Sequence, residues 1–97
     1  MRIAVAANGK DLKAVIPDRY EESPFLVIVE TDDFSIVDTF ESQDEDGAFL
    51  AEKAVEYDCE AIVCGIMQMI GHDIVADNCI TRYNGSGCNV EEGARGA

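Results

Sequence analysis

The chain has 97 residues, which suffices for one small domain, since a second hydrophobic core would need roughly 100 residues more. Hydrophobic residues make up 47% and charged residues 28%, a globular composition that argues against disorder of the whole chain. A net charge of -13 repels phosphate backbones and anionic membrane surfaces, so we expect neither nucleic acid nor membrane as a partner.

The cellular compartment is predicted from two further features. The amino terminus lacks a long apolar stretch, and the longest uncharged run, residues 61–72, is too short to cross a bilayer, so we expect a cytoplasmic protein. Cysteines in that reducing compartment are expected to be free thiols. The four cysteines form no CxxC pair, which argues against a thioredoxin-type redox motif or a standard zinc ribbon.

Three strands are predicted in the first half of the chain. Residues 2–7 form an apolar run that a turn dipeptide ends, which is typical of a buried strand. Residues 10–24 are polar and predict a loop with one apolar anchor around Ile16. Residues 25–30 and 34–41 are rich in β-branched and aromatic side chains and flank a turn, so they predict a hairpin.

The second half alternates helix and strand. Residues 47–58 carry a helical stripe of apolar side chains, and residues 68–78 predict a second helix. Residues 60–64 and 79–83 predict the two strands that follow these helices. Right-handed crossovers place such strands parallel and side by side, which indicates an α/β domain with a mixed sheet.

The carboxyl-terminal tail contains both a helix start signal and helix breakers. Asn89 and Glu92 have the spacing of a capping box. Gly93 and Gly96 weaken any helix that follows, so we expect a frayed end.

Four segments in chain order carry a family resemblance: RIAVAANGKDL, the Pro17–Tyr20 stretch with Pro24-Phe25 after it, EAIVCG and ITRYNG. They resemble the dinitrogenase iron-molybdenum cofactor biosynthesis family, of the NifX and NafY type that also forms the C-terminal part of NifB. The resemblance extends over almost all of residues 1–97. It implies a ribonuclease-H-like five-stranded sheet in the order 3-2-1-4-5 with strand 2 antiparallel. It also implies a role in carrying, storing or maturing metal-sulfur clusters.

Topology predicts which cysteines lie at which edge of the sheet. Ligands of open α/β sheets bind beyond the carboxyl ends of parallel strands, and Cys64 ends one of those strands while Cys88 follows another. Cys59 and Cys79 precede the same strands and are expected to be neighbours at the opposite edge. A single site made of all four cysteines is therefore excluded.

Soft side chains near the carboxyl edge are candidate metal ligands, because thiolates, thioethers and imidazoles bind copper and iron-sulfur species. The candidates are Cys64, Met69, His72 and Cys88, with His72 proposed mainly through the resemblance. Burial as a small apolar side chain is the alternative for Cys64, and Met67 is assigned to the core.

Three of the seven cations of the chain lie close together in sequence. Lys10, Lys13 and Arg19, together with the turn residues Asn8 and Gly9, are the candidate cofactor-binding residues. Metal-sulfur clusters of the implied kind are anionic, and these cations could hold one through charge-assisted hydrogen bonds. The alternative is that they are ordinary solvated side chains.

The sequence thus predicts a non-enzymatic binding protein whose cofactor is a metal-sulfur cluster, of the iron-molybdenum type or a precursor. Its partners would be the proteins that donate or accept the cluster. Two alternatives remain open: an interaction or regulatory domain without a cluster, and a redox-active thiol enzyme. A ribonuclease-type nuclease is excluded, because residues 2–7 and 61–64 contain no carboxylate to bind a divalent metal.

Overall fold

A mixed sheet of five strands forms the centre of the molecule. The computed structural model describes residues 1–43, 47–67 and 69–96, with the backbone alone for residues 69–72. The strands are β1 (Arg2–Ala7), β2 (Phe25–Glu30), β3 (Ser35–Glu41), β4 (Ala61–Cys64) and β5 (Thr81–Asn84). Their order is β3-β2-β1-β4-β5, with β2 antiparallel to both neighbours and β1, β4 and β5 mutually parallel. The predicted strand order and directions are confirmed.

Helices cover both faces of the sheet and divide the core in two. Helices α1 (Ala48–Glu56) and α2 (Met69–Asp77) contact each other over one face, while α3 (Val90–Gly96) packs against β1 on the other. Because strand side chains alternate between faces, Ala4 and Ala6 of β1 enter the core under α1 and α2. We call this the α1/α2 face and the opposite one the α3 face. None of the described helices is long and apolar enough to span a bilayer.

Left-handed residues end α1 and α2 and shorten the strands that follow. At the end of α2, the N–H of Cys79 donates to the carbonyl of Ala76, and the N–H of Ile80 donates to that of Val75. With φ of 59° at Cys79, this is a Schellman motif. Asp58, with φ of 53°, ends α1 in the same way. The strand predicted from residue 79 therefore begins at Thr81, because the chain first has to leave the helix.

The frayed carboxyl end predicted from the sequence is wrong. The backbone N–H of Asn89 donates to the Glu92 carboxylate at 3.1 Å, and the N–H of Glu92 donates to the Asn89 side chain at 2.8 Å, so the capping box forms and α3 follows it. Gly93 is buried, and a Cβ there would lie 2.9 Å from Cδ1 of Ile16 and 3.0 Å from Cγ1 of Val63. The glycine thus lets the helix approach the sheet closely.

Candidate functional site

The segment of residues 14–20 runs along the carboxyl edge of the sheet, and we call it the crossing segment. The N–H of Ile16 donates to the carbonyl of Cys88 at 2.8 Å, and the N–H of Gly87 donates back to the carbonyl of Ile16 at 3.0 Å. Further along, the N–H of Tyr20 donates to the carbonyl of Ile66 at 2.9 Å, and the N–H of Ile66 donates to the carbonyl of Asp18 at 2.8 Å. The crossing segment is therefore fixed to the residues that follow both β4 and β5.

Close approach of this segment depends on the glycine that follows β4. A Cβ on Gly65 would overlap the carbonyl oxygens of Pro17 and Asp18. Because these are backbone atoms, they could not move aside without breaking the bonds to Ile66. The glycine of the EAIVCG segment thus serves main-chain packing at the candidate site.

The predicted cofactor-binding residues lie in one loop and the segment that follows it. The loop begins at Asn8, whose N–H donates to the carbonyl of Val15 at 2.9 Å, and continues through Gly9. Nζ of Lys10 lies 5.1 Å from the centre of the Phe25 ring, and the backbone N–H of Lys13 donates to the Asp11 carboxylate at 3.0 Å. This arrangement places the loop beside the carboxyl end of β1, since Phe25 pairs with Ala7 there.

The three cations of this region are exposed. Within the described residues, neither Lys10 nor Lys13 nor Arg19 forms an ion pair with a carboxylate. In a protein with a net charge of -13, three such side chains provide an edge that can donate to an anion.

The cysteines at this edge lie on opposite faces of the sheet. Cys64 is fully buried among the side chains of the α1/α2 face, and this burial raises the pKa of its thiol to about 12. Cys88 is half-buried and packs against the α3 face. The structure thus places both at the predicted edge but does not bring them together as a ligand pair. Nor do any three histidine, cysteine or acidic side chains converge among the described residues.

The other two predicted metal ligands cannot be compared with the structure. Met69 and His72 belong to the first turn of α2, and their side chains lie outside the described residues. Met67 is half-buried and packs against the α1/α2 core, as predicted.

Cys59 and Cys79 line one cavity at the amino edge of the sheet, which is the edge predicted for both. The cavity has a volume of about 420 Å³. It is lined by Val55, Asp58, Cys59, Glu60, Asn78, Cys79 and Ile80. Cys59 is buried, which raises the pKa of its thiol to about 11, whereas Cys79 is exposed. The sequence predicted the edge at which these two thiols lie. It did not predict the cavity, because no sequence pattern at the end of a helix indicates that a cavity lies beside it.

Comparison with known proteins identifies the family. The family model described as dinitrogenase iron-molybdenum cofactor matches residues 1–95, from the first strand to the last turn of α3. The chain belongs to this family. Membership relates it to small proteins associated with the iron-molybdenum cofactor, and it confirms the resemblance that the four sequence segments indicated.

Solved structures share the fold of this family member at low sequence identity. A candidate NifB protein from Thermotoga is 19% identical, with a TM-score of 0.81 over 97% of this chain and 84% of its own. The apo form of the orange protein from Desulfovibrio gigas is 15% identical, with a TM-score of 0.81 over 97% of this chain and 83% of its own. No curated protein sequence matches the chain significantly.

Proposed function

We propose that the protein binds a metal-sulfur cluster, of the iron-molybdenum type or a precursor, and acts as a carrier, storage or maturation factor rather than as an enzyme. Membership of the iron-molybdenum cofactor family is the observation that carries this proposal. The exposed cations of the carboxyl edge support it, because an otherwise strongly acidic molecule needs local donors to hold an anion.

The cations and the thiols at this edge differ in how readily they could bind an anionic cluster. Lys10, Lys13 and Arg19 can give charge-assisted hydrogen bonds without first breaking an ion pair to any described residue. Cys88 is the more accessible thiol, whereas the buried Cys64 keeps its proton and offers no thiolate in this conformation. We therefore propose Cys88, with His72 and Met69, as the ligands, and the cations as the groups that retain the cluster.

We further propose a cytoplasmic protein whose partners are those that donate or accept the cluster. The absence of a described helix suited to a bilayer is compatible with this location. The strand order β3-β2-β1-β4-β5 with β2 antiparallel supports a ribonuclease-H-like classification of the sheet.

A charge-matched pair of triple variants tests the site. Replacing Lys10, Lys13 and Arg19 by glutamine should reduce affinity for an anionic cluster by about 1–3 kcal/mol, the scale of hydrogen bonds to charged groups. The control replaces Arg2, Lys53 and Arg95 by glutamine. These residues lie on β1, α1 and α3, away from the loop, and their replacement changes the net charge equally.

Anaerobic titration of both triple variants at one ionic strength measures the difference. Equal losses in the two variants would mean that only net charge matters, and the proposed edge would be wrong. Among single variants, Cys88→Ser and His72→Ala should lower cluster uptake more than Cys59→Ser or Met67→Leu.

A domain of the same fold without a cluster is the second candidate function. The placement of Cys64 and Cys88 on opposite faces favours it, because the two thiols of the carboxyl edge do not form a pair that could bind metal. Visible absorption of the anaerobically purified protein, with iron, molybdenum and copper analysis, separates the two functions. A colourless protein that takes up no metal on anaerobic reconstitution would support the domain without a cluster.

A further inference from the structure

We propose that Cys59 and Cys79 are a redox-active pair that closes to a reversible disulfide on reaction with an oxidised low-molecular-weight disulfide such as oxidised glutathione. The pair lies at the amino edge of the sheet, away from the crossing segment, so this inference does not depend on the proposed cluster site.

The register of the parallel strands brings the two cysteines together. Ala61 pairs with Thr81, and the N–H of Thr81 donates to the carbonyl of Glu60 at 3.2 Å. Cys59 and Cys79 each lie two residues before this pair, in the turns that lead into β4 and β5. These turns lead into neighbouring parallel strands and both cysteines line the same cavity, so a disulfide, which spans Cα atoms about 4.4–6.8 Å apart, would join the two turns.

The cavity leaves room for the two thiols to meet. Both cysteines line it, and both are free thiols. Cys79 belongs to the turn that ends α2, and Cys59 follows the corresponding turn of α1. A bond between them therefore joins two turns at the surface rather than two positions inside strands. The other two cysteines have no such arrangement, because Cys64 and Cys88 pack against opposite faces.

Unequal exposure assigns the two cysteines different parts in the reaction. Cys79 is exposed and can meet a soluble disulfide, whereas Cys59 is buried and shielded from one. We therefore expect Cys79 to react first and Cys59 to react only with the mixed disulfide formed beside it.

The chemistry proceeds in two balanced exchanges. The thiolate of Cys79 attacks one sulfur of oxidised glutathione, which forms a mixed disulfide and releases one glutathione thiolate. Cys59 then loses its proton to that thiolate or to solvent and attacks Sγ of Cys79, which forms the protein disulfide and releases the second glutathione. The two cysteines together lose two electrons, and one molecule of oxidised glutathione gains them and is reduced to two thiols.

Mass spectrometry of the full chain tests the proposal directly. The reduced protein is incubated with oxidised glutathione under native conditions, the remaining thiols are alkylated, and the disulfides are assigned by peptide mapping. We expect loss of two hydrogens from the chain and a linked peptide that contains Cys59 and Cys79. An excess of reduced glutathione should reverse the reaction.

Two variants separate the steps. Cys59→Ser should stop at a stable mixed disulfide on Cys79, and Cys79→Ser should leave Cys59 reduced. The experiment on the unaltered chain needs no variant, so the proposal can be tested even if substitution of the buried Cys59 prevents folding. An unaltered chain that stops at a mixed disulfide, forms a disulfide between two molecules, or keeps Cys79 reduced would overturn the proposal.

Discussion

At the scale of single residues, Gly47 and Gly87 both have left-handed backbone, but only Gly47 lies against a side chain that an added Cβ would hit. Gly47 has φ of 81° and Gly87 has φ of 84°. A Cβ on Gly47 would overlap the ring of Tyr20, whose hydroxyl donates to the Gly47 carbonyl, whereas a Cβ on Gly87 would meet nothing within 4 Å. The two positions therefore share backbone geometry but differ in their surroundings.

Alanine at these glycines should destabilise the protein by different amounts. Gly87→Ala should cost about 1 kcal/mol, the price of a left-handed alanine. Gly47→Ala should cost about 3 kcal/mol or more, because the fully buried Tyr20 would also have to move. Urea unfolding of both variants measures the difference, and equal losses would show that the Tyr20 contact contributes nothing.

The buried Cys64 makes stability depend on alkaline pH. Burial raises the pKa of its thiol from the usual 9.0 to about 12, so the folded protein keeps a proton that the unfolded chain loses. This contribution is fully present below pH 9 and is lost as the pH rises toward 12. The urea midpoint of the unaltered protein should therefore fall more steeply above pH 9 than that of Cys64→Ala. Parallel curves for the two proteins would contradict the shifted pKa.

The alternation of side chains along a strand predicts the face on which Cys64 packs but not the face on which Cys88 packs. Cys64 lies two residues after the apolar Ile62 in a strand, so both enter the same face, and its burial follows from the sequence. Cys88 lies in a loop without periodicity, so its packing against the opposite face could not be predicted. For Cys88, the edge was predictable from topology, whereas the face of the sheet was not.

At the scale of elements, apolar runs predicted the strands better than local propensity predicted the last helix. The predicted ranges 2–7 and 25–30 coincide with β1 and β2, because buried strands are continuous apolar runs bounded by turns. α3 was predicted to fray because glycine is a poor helix former, and that rule fails where a side chain would collide with the sheet. Tertiary contact outweighed propensity at Gly93.

Glycine-to-alanine changes within α3 should therefore have opposite effects. Gly93→Ala should destabilise the protein by about 1–2 kcal/mol, since its Cβ would crowd Ile16 and Val63 and the helix could not stay as close. Gly96→Ala should be neutral or stabilising by a few tenths of a kcal/mol, because a Cβ there meets nothing within 4 Å. Thermal unfolding of the two variants tests this; a gain in stability for Gly93→Ala would show that propensity governs the helix.

At the scale of the whole molecule, the order of the sheet was predictable and the path of the crossing segment was not. Right-handed crossovers restrict the later strands to parallel neighbours, and the family resemblance supplied the complete order. The crossing segment is held by main-chain hydrogen bonds to Ile66, Gly87 and Cys88, which leave no pattern of side chains in the sequence. The sequence indicated only its apolar anchor, Ile16, which is fully buried.

The crossing segment also has a consequence for the kinetics of folding. Its partners Ile66, Gly87 and Cys88 follow β4 and β5, far along the chain, so the bonds to them cannot form until those strands have joined the sheet. Ile16→Val should cost about 1 kcal/mol and raise the unfolding rate about fivefold with little change in the folding rate. Ile3→Val, in the central strand β1, should slow folding instead. If stopped-flow measurements bear this out, the edge that carries the loop cations is the last part to assemble and the first to open.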